Sequence, residues 1–480
     1  MKTIAITIPL GMSARNILRS DAFRILPKHA RLVILTPFAG DAKFHAEFDR
    51  PNVNFELLRF RSSVVGKILR RLADPVETYL FTQKTHIETL LFLKKWLQNE
   101  RPFEYFKTRL LAASFEWRPM LSWLRCWHIK CLRDQAYGAI FKKYEVNLVL
   151  ITHLFNLADQ QVAATALHCG IPVIGMPHSW DNLTSKSGIR QGTNADPGRT
   201  VPVRFDKVIV WNDVSRQELL EFYGYTHDSI VTVGIPQFDI YMNKERFKKR
   251  EQFMADYGFD PAAKLILYAA GTPQYLPYQD EIIDALVEII RSGRLGQRAQ
   301  LLVRGHPNRM ALEASKKVRT RYQGSSDVRF QEPSSAYTAL SDTAWNSVPG
   351  DEYELANTIA AADVVVTMGS TIILDAAALD KPIVNMMFDG GPVDSSFHSI
   401  KKYLHYTHYI KIEKTGAFQT AYNPQEMEAQ IQRYLRDPSL ESKERRDLVA
   451  MECFKIDGKA GERIAGAILD YLEPNKMLAN

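Results

Sequence analysis

The sequence has few cysteines and no long apolar segment, and both absences narrow the class of protein. Its four cysteines are scattered without disulfide-framework or metal-ligand spacing, which is typical of a reducing cytosol: Cys126, Cys131, Cys169 and Cys453. No run of about 18 apolar residues is present, so we predict no transmembrane helix. The N-terminal apolar run ends in a Gly-Met-Ser-Ala-Arg loop, which predicts a first β-strand rather than a signal peptide.

Positive charge is concentrated in one region of the chain. The formal net charge is +7, yet residues 61–143 alone hold 16 Lys or Arg against 7 Asp or Glu. Basic and aromatic residues interleaved in this way are typical of helices that lie on an anionic membrane surface. A solvated helical insertion with its aromatics in the core is the open alternative. No nucleic-acid motif accompanies the charge, so we expect no nucleic acid partner. Four of the seven tryptophans lie in this region: Trp96, Trp117, Trp123 and Trp127.

Short apolar, β-branched runs alternate with helical patterns along most of the chain. Near-continuous apolar strands alternating with helices predict parallel sheets that are covered on both faces. The predicted strands are Thr3–Pro9, Leu32–Pro37, Phe55–Phe60, Leu148–His153, Pro172–Pro177, Val208–Trp211, Ile230–Gly234, Leu265–Ala270, Leu301–Arg304, Val328–Gln331, Val364–Met368 and Ile383–Met387.

The chain of 480 residues is too long for one compact core and suits two domains. The strand series divides near a charged run at residues 243–250, which predicts domains over residues 1–240 and 255–475. Residues 62–145 have a helical pattern and interrupt the first domain as an insertion. The predicted fold class is α/β: two Rossmann-like domains facing each other across a cleft, with a helical insertion in the first.

Three polar segments follow predicted strands of the second domain, where parallel sheets bind ligands. After one strand comes Arg304-Gly305-His306-Pro307-Asn308-Arg309, and a hydrogen-bonding His with arginines suits a phosphate whose charge grows as it leaves. Gly369-Ser370-Thr371 follow another strand and open a helix, which predicts an anion site; Asp375, five residues after Ser370, is predicted to reach the ribose hydroxyls. Gly271 and Thr272 follow a third strand, and small residues there allow a ligand close to the backbone. The structural alternative for His306 is a buried histidine at a strand end. For Ser370 and Thr371 the alternative is an ordinary helix N-cap.

These motifs carry a family resemblance. RGHPN and MGSTIILDAAALDKPIV resemble motifs of GT-B enzymes with cytidine-nucleotide donors, which include sialyltransferases, Kdo transferases and teichoic-acid CDP-glycerol glycerophosphotransferases. Residues 231–239 resemble the Gly-x-Pro-Arg-x-Asp segment of the last group, with Gln237 where that pattern has Arg. The resemblance implies that His306, Ser370 and Thr371 hold the donor phosphates and Asp375 the ribose. The same scaffold also hosts UDP-N-acetylglucosamine 2-epimerases.

The first domain is expected to supply the acceptor site and a base. The loop from Gly175 to Lys186 follows a predicted strand, and His178 or Asp181 in it is the predicted base for the acceptor hydroxyl. The structural alternative is a polar turn in which Asp181 caps a helix. Further acceptor-side residues are predicted in this loop and in the loop after the first strand: Trp180, Asn182, Lys186, Gly11, Ser13 and Arg15.

We therefore expect a metal-independent GT-B transferase that moves a sugar or polyol phosphate from a CMP-, CDP- or UDP-linked donor to a glycan or lipid-linked acceptor. Its setting is the synthesis of a cell-surface polysaccharide such as capsule or lipopolysaccharide. No strand ends in Asp-x-Asp, so no metal or other cofactor is predicted. The expected location is cytoplasmic and peripheral on the membrane, through residues 61–143. The rival hypotheses are a nucleotide-sugar 2-epimerase and a non-catalytic nucleotide-binding subunit of an assembly complex.

Overall fold

The computed structural model describes residues 1–115, 118–185, 203–271, 276–307, 315–333 and 350–473. The chain forms two compact units. The first comprises Met1–Ile235, Tyr406–His408 and the residues from Lys459 on; the second comprises Pro236–His405 and Tyr409–Gly458.

The first unit is built on a seven-stranded parallel sheet with the strand order β3-β2-β1-β4-β5-β6-β7. Side chains of the inner strands are almost completely buried on both faces, as the apolar runs predicted. All seven strands end one to three residues earlier than predicted, so that His153 and Pro177 lie in loops after the fourth and fifth strands. The strands are β1 (Thr3–Thr7), β2 (Arg31–Thr36), β3 (Val53–Leu57), β4 (Leu148–Ile151), β5 (Val173–Gly175), β6 (Lys207–Val210) and β7 (Ile230–Thr232).

Helices cover the first sheet and form the predicted insertion, which begins after β3 and ends before β4. The helices before the insertion are α1 (Gly11–Ser13), which continues into a π-helical turn (Ala14–Leu18), α2 (Asp21–His29) and α3 (Ala42–Phe48). The insertion consists of α4 (Val64–Thr85), α5 (Glu88–Glu100), α6 (Pro102–Phe115), α7 (Arg118–Leu132) and α8 (Gln135–Tyr144). The remaining helices up to β7 are α9 (Leu157–His168), α10 (Asn182–Ser185) and α11 (Asp213–Tyr223).

The second unit is built on a six-stranded parallel sheet with the order β10-β9-β8-β11-β12-β13. Five of its strands lie where the apolar runs predicted them. The sixth, β13, has only three residues at the sheet edge and no apolar run to reveal it. The strands are β8 (Lys264–Ala269), β9 (Ala299–Arg304), β10 (Val328–Gln331), β11 (Val364–Thr367), β12 (Ile383–Met386) and β13 (Gln419–Ala421).

Helices also surround the second sheet. The charged run at residues 243–250 contains a 3-10 turn, Lys244–Arg246, before the first of these helices. They are α12 (Arg250–Asp256), α13 (Gln279–Arg291), α14 (Lys316–Arg321), α15 (Asp351–Ala361), α16 (Ile372–Ala378), α17 (Thr407–Glu413), α18 (Pro424–Arg436) and α19 (Ser442–Cys453). A further 3-10 helix spans Ile400–His405.

The last helix, α20 (Ala460–Leu472), belongs to the first unit. The predicted second-domain range of 255–475 assigned it to the other domain. Its attachment is a close packing on α2: a Cβ atom at Gly461 would lie 2.7 Å from the backbone nitrogen of Asp21. Arg463 adds a hydrogen bond of 2.6 Å to the carbonyl oxygen of Val233. Contacts between residues this far apart in sequence leave no local signal.

In each sheet the strand order reverses at one point, between β1 and β4 in the first unit and between β8 and β11 in the second. Loops leave the carboxyl ends of neighbouring strands in opposite directions there, which opens a crevice where open α/β sheets bind ligands. The predicted site residues of each unit follow the strands at or next to these points.

Candidate functional site

In the second unit, the end of β9 is fixed by a buried arginine. Arg304 is 6% exposed, and its guanidinium donates to Gln331 Oε1 at 2.5 Å and to Asp351 Oδ1 at 3.2 Å. Burial raises the pKa of Asp351, while the Arg304 charge opposes that rise. The guanidinium is thus engaged inside the unit, where it holds the strand end that carries His306. Asp351 and Glu352 form the first turn of α15.

His306 follows β9 and lines a pocket of about 160 Å³. Burial lowers the pKa of His306 to about 4. The imidazole is therefore neutral near pH 7, and it can offer a phosphate oxygen a neutral N–H donor. Other residues that line the pocket are Gly271, Gly305, Tyr278, Asp280, Arg319 and Glu332.

Gly369, Ser370 and Thr371 follow β11 at the carboxyl edge of the same sheet. The Gly369 N–H donates to Asn385 Oδ1 at 2.7 Å, and its φ of 33° lies in the left-handed region. A Cβ atom at this position would lie 3.1 Å from the ring of Tyr403. Glycine is thus required both by the backbone conformation and by the neighbouring ring. Ser370 and Thr371 are partly exposed, and α16 begins directly after them.

Asp375 lies one turn into α16, where it contacts a residue that sequence reasoning missed. It is 6% exposed, and its Oδ1 accepts a hydrogen bond of 2.6 Å from the Tyr241 hydroxyl. Tyr241 belongs to the 3-10 segment Pro236–Met242. The predicted contact of Asp375 with a ribose stays a prediction.

In the first unit, polar side chains converge after β1, β4 and β5. Thr7 ends β1, and its hydroxyl donates to Asp159 Oδ1; the Thr152 hydroxyl donates to the Thr7 carbonyl at 2.6 Å. Asp159 is fully buried near the start of α9, which Asn156 caps through its side chain. Burial raises the pKa of Asp159 to about 8 against hydrogen bonds from Thr7 and the backbone of Thr152 and His153.

Two histidines lie one against the other at this edge. The His153 and His178 ring centroids are 3.7 Å apart with an interplanar angle of 31°. Both rings are buried, at 9% and 4% exposure. Sequence reasoning singled out His178 and missed His153, because the apolar run Leu148–His153 predicted that residue inside the strand. His153 lies two residues beyond β4, so the strand-end rule that selected His178 applies to it as well.

The loop after β5 is ordered around Asn182. Its side-chain oxygen accepts the N–H groups of His178 and Ser179, each at 3.1 Å, and Asn182 is fully buried. Asp181 accepts hydrogen bonds from Ser185 Oγ at 2.5 Å and Asn182 Nδ2 at 3.2 Å. Trp180 is 5% exposed. The sequence-predicted acceptor residues Trp180 and Asn182 thus lie inside the loop that positions His178.

The remaining predicted residues of the first unit follow β1. Gly11 and Ser13 are buried in α1, and Arg15 is half-buried in the turn that continues it, with a 3.3 Å hydrogen bond from its Nε to Asn16 Oδ1. Four predicted site residues lie outside the described residues: Lys186, Thr272, Asn308 and Arg309.

The described residues contain neither a cluster of metal ligands nor a membrane-spanning helix. Within the ranges that the structure describes, no three or more His, Cys, Asp or Glu side chains cluster as metal ligands would. Metal independence therefore stays a prediction. None of the described helices has the length and apolar character needed to cross a membrane.

Two Rossmann-like parallel sheets, each with polar residues at its carboxyl edge, define the GT-B class, and solved structures share this fold. S. aureus MnaA with UDP matches at 14% identity over 98% of this chain and 97% of that chain, with a TM-score of 0.56. The UDP-GlcNAc 2-epimerase of Neisseria meningitidis bound to UDP-GlcNAc matches at 11% identity over 98% and 100%, with a TM-score of 0.53. The wall teichoic acid polymerase TagF with CDPG matches at 12% identity over 98% and 89%, with a TM-score of 0.53. At such low identities the likeness concerns the fold.

The sequence itself identifies the family. Residues 151–470 match the model of the CDP-glycerol:poly(glycerophosphate) glycerophosphotransferase family, which is more than half of the chain. The chain belongs to this family, and it is a transferase that uses a nucleotide-activated donor in the synthesis of a cell-surface polymer. No curated protein sequence gives a match.

Proposed function

We propose that the second unit binds a CDP-linked donor, with CMP- and UDP-linked donors as the alternatives, and that His306 contacts its diphosphate. The observation that carries this proposal is the neutral imidazole in a pocket at the carboxyl edge of the sheet. His306 follows β9 and Gly369 follows β11, the two strands on either side of β8. The hydroxyls of Ser370 and Thr371 and the N–H of His306 offer donors to phosphate oxygens.

In the proposed reaction an acceptor hydroxyl attacks the donor phosphorus or sugar carbon. The bond from that atom to the leaving phosphate oxygen breaks, the nucleotide leaves, and the hydroxyl proton passes to a base of the first unit. The leaving group gains negative charge, which His306, Ser370 and Thr371 stabilise without a metal. The acceptor is a glycan or a lipid-linked chain of a cell-surface polymer such as capsule or lipopolysaccharide.

His178 is the base that the contacts support. The competing residue, Asp181, already accepts hydrogen bonds from Ser185 and Asn182, so its carboxylate oxygens are engaged within the loop. The backbone of Asp181 also accepts the N–H of Ser185 at 2.9 Å, so this residue stabilises the first turn of α10. Histidine is the side chain that most often acts as a general base near neutral pH.

A nucleotide-sugar 2-epimerase is the second candidate, because solved UDP-GlcNAc 2-epimerases share the fold over almost their whole length. The two activities differ in their need for an acceptor. A transferase consumes donor in proportion to acceptor, whereas an epimerase converts its substrate alone. A non-catalytic binding subunit would bind the nucleotide and turn over neither substrate.

The test is release of CMP from CDP-glycerol by the purified full-length chain, with and without a glycerol phosphate oligomer as acceptor. Conversion of UDP-GlcNAc is measured in parallel. We expect CMP release that depends on the acceptor, and loss of one donor to the leaving oxygen in His306→Ala should reduce kcat by about 10²–10³. The matched control is His29→Ala, an exposed histidine in α2. Acceptor-independent turnover of UDP-GlcNAc would support the epimerase, and near wild-type activity of His306→Ala would remove this residue from the mechanism.

We also propose that the helical insertion, residues 62–145, attaches the protein to the cytoplasmic face of an anionic membrane. The insertion exposes large apolar side chains on three of its helices: Val64, Val65, Ile68 and Leu72 on α4, Phe103, Phe106 and Leu110 on α6, and Trp123 and Trp127 on α7. Exposed basic residues flank them, among them Lys67, Arg71, Lys107, Arg109, Arg125 and Lys130. Apolar side chains insert between lipids while the basic residues contact anionic head groups.

Co-sedimentation with lipid vesicles tests this attachment. We expect binding to vesicles that contain phosphatidylglycerol, weaker binding to phosphatidylcholine alone, and loss of binding as salt is raised. Phe103 and Phe106 are 79% and 61% exposed, and Phe103→Ser with Phe106→Ser should release the protein. Met242, at 50% exposure, lies outside the insertion, so Met242→Ser is the control. Equal binding of all variants to both kinds of vesicle would contradict the proposal.

A further inference from the structure

The pair formed by His153 and His178 is the part of the first unit that the proposed reaction does not yet explain. A base needs one imidazole, yet two rings lie with their centroids 3.7 Å apart. At that separation two imidazolium ions would repel each other strongly in a buried site, so at most one of the two rings takes up an additional proton. The question is which ring takes the proton.

A hydrogen bond from the backbone to His153 indicates that the additional proton goes to His178. The Phe155 N–H donates to Nδ1 of His153 at 3.3 Å, and this nitrogen must keep its lone pair to accept the bond. A neutral His153 then carries its proton on Nε2. Protonation of His153 would break the bond to Phe155 and leave a buried N–H group without its acceptor, which is costly.

The backbone around His153 is fixed from below by Asp159. Its carboxyl group accepts from the Thr7 hydroxyl, and the Thr152 N–H donates to the same hydroxyl oxygen at 3.2 Å. Since Asp159 is itself held by the Asn156 cap of α9, the ring of His153 is positioned by a helix and two strands. Rigid support of this kind is what keeps a reacting group in place.

We propose that His153 is a positioning residue for the base His178: it stays neutral, supports the His178 ring by stacking, and leaves that ring as the one that takes the acceptor proton. The inference rests on the proposed function for the role of His178, but the protonation pattern of the pair does not. Other titratable groups lie on the elements around the pair, among them the three that are nearest to its loops. They are Asp159, Asp181 in the loop after β5, and His408, whose ring packs on Trp180 at 5.1 Å.

The first experiment observes the two rings directly. The full-length chain is labelled with ¹⁵N in its 12 histidines, and long-range ¹H–¹⁵N spectra are recorded over a pH series. His153→Asn and His178→Asn assign the signals. We expect His153 to show an unprotonated Nδ1 and a protonated Nε2, and to titrate at least about one pH unit below His178. In His178→Asn, the midpoint of His153 should move upward because the competing charge is gone.

The second experiment separates support from proton transfer. His153→Phe keeps an aromatic ring that cannot take a proton, whereas His153→Ala removes the support. For CMP release from CDP-glycerol we expect His153→Phe to retain most of kcat with the acid limb of its pH profile unchanged. We expect His153→Ala to lose about 10² in kcat at unchanged KM, since a misplaced base costs about this factor. His168→Asn, an exposed residue at the end of α9, is the control.

The outcomes are distinguishable from failure of the proposed function. If the wild-type chain releases no CMP, the proposed function is wrong. The NMR pattern alone then decides whether His178 is the ring that takes up the additional proton. If His153 titrates first, or if both rings titrate independently with midpoints that do not change in the single variants, the inference is overturned. It is also overturned if His153→Phe loses as much activity as His178→Phe, because His153 would then be a proton acceptor itself.

Discussion

Binding of a diphosphate donor should be coupled to proton uptake by His306. The pKa of this histidine is lowered to about 4 by burial. A dianionic diphosphate within hydrogen-bonding distance favours the imidazolium and raises the pKa. A return to the ordinary value of about 6.5 is a conservative expectation for the bound state. The donor should then bind more tightly as the pH falls, because the bound state holds a proton that the free state lacks.

The size of the effect follows from these two values. At about pH 5.5 a group whose pKa rises from about 4 to about 6.5 takes up about 0.9 proton per donor bound, and at about pH 7.5 it takes up about 0.1. Over the same range the dissociation constant should decrease by about tenfold on acidification. CDP-glycerol is a suitable ligand because its diphosphate, esterified at both ends, gains no proton in this range.

Isothermal titration calorimetry in buffers of different ionisation enthalpy measures this uptake. His306→Asn keeps a hydrogen-bond donor but cannot titrate. Its proton uptake on donor binding and the tenfold pH dependence of its dissociation constant should therefore disappear. Asp280 lines the same pocket, and burial raises the pKa of its carboxyl group. Any proton uptake that remains in the variant is therefore assigned to Asp280. Equal uptake by wild type and His306→Asn at about pH 5.5 would refute the assignment of His306 to the diphosphate.

Three further predictions concern the residues that hold the two sites. Burial raises the pKa of Asp159 to about 8, so the folded state keeps a proton that the unfolded state loses above about pH 4. Stability, measured as the Tm in calorimetry, should therefore fall between about pH 5 and pH 8. This fall should be smaller in Asp159→Asn. Gly369→Ala places a Cβ atom 3.1 Å from the Tyr403 ring at a positive φ. It should weaken CDP-glycerol binding about tenfold and lower the Tm by a few degrees. Unchanged binding would count against the anion site. Arg304→Met leaves the Asp351 carboxyl buried without its cation and should cost about 3–5 kcal/mol in urea unfolding, part of which Asp351→Leu should restore in the double variant.

Much of the fold follows from local sequence patterns. Twelve apolar, β-branched runs predict twelve of the thirteen strands found among the described residues, since a strand buried on both faces of a parallel sheet must be apolar along its whole length. The helical insertion can also be predicted from the sequence, because the apolar residues change from continuous runs to helical spacing at residue 62. The strand missed, β13, has three residues at an edge, where burial imposes no such pattern.

The candidate residues of the second unit were also accessible to local reasoning. His306 and Gly369 each follow an apolar run, and in a parallel sheet the residues after such runs lie at the ligand-binding edge. The local pattern gave the position of Asp375 on a helix, but its hydrogen bond to Tyr241 joins residues 134 apart in sequence. No spacing rule reports a contact of that range.

What the sequence by itself determined is the α/β class, the division into two sheets, the helical insertion and the family, because each depends on residues that are neighbours along the chain. What only the tertiary structure decided are the contacts that long-range packing creates. They include the stacking of His153 on His178, the burial of Asp159 beneath them and the place of α20 in the first unit. The physical reason is that apolar periodicity and strand-end position are local consequences of burial, whereas the choice of partner depends on how whole elements pack together.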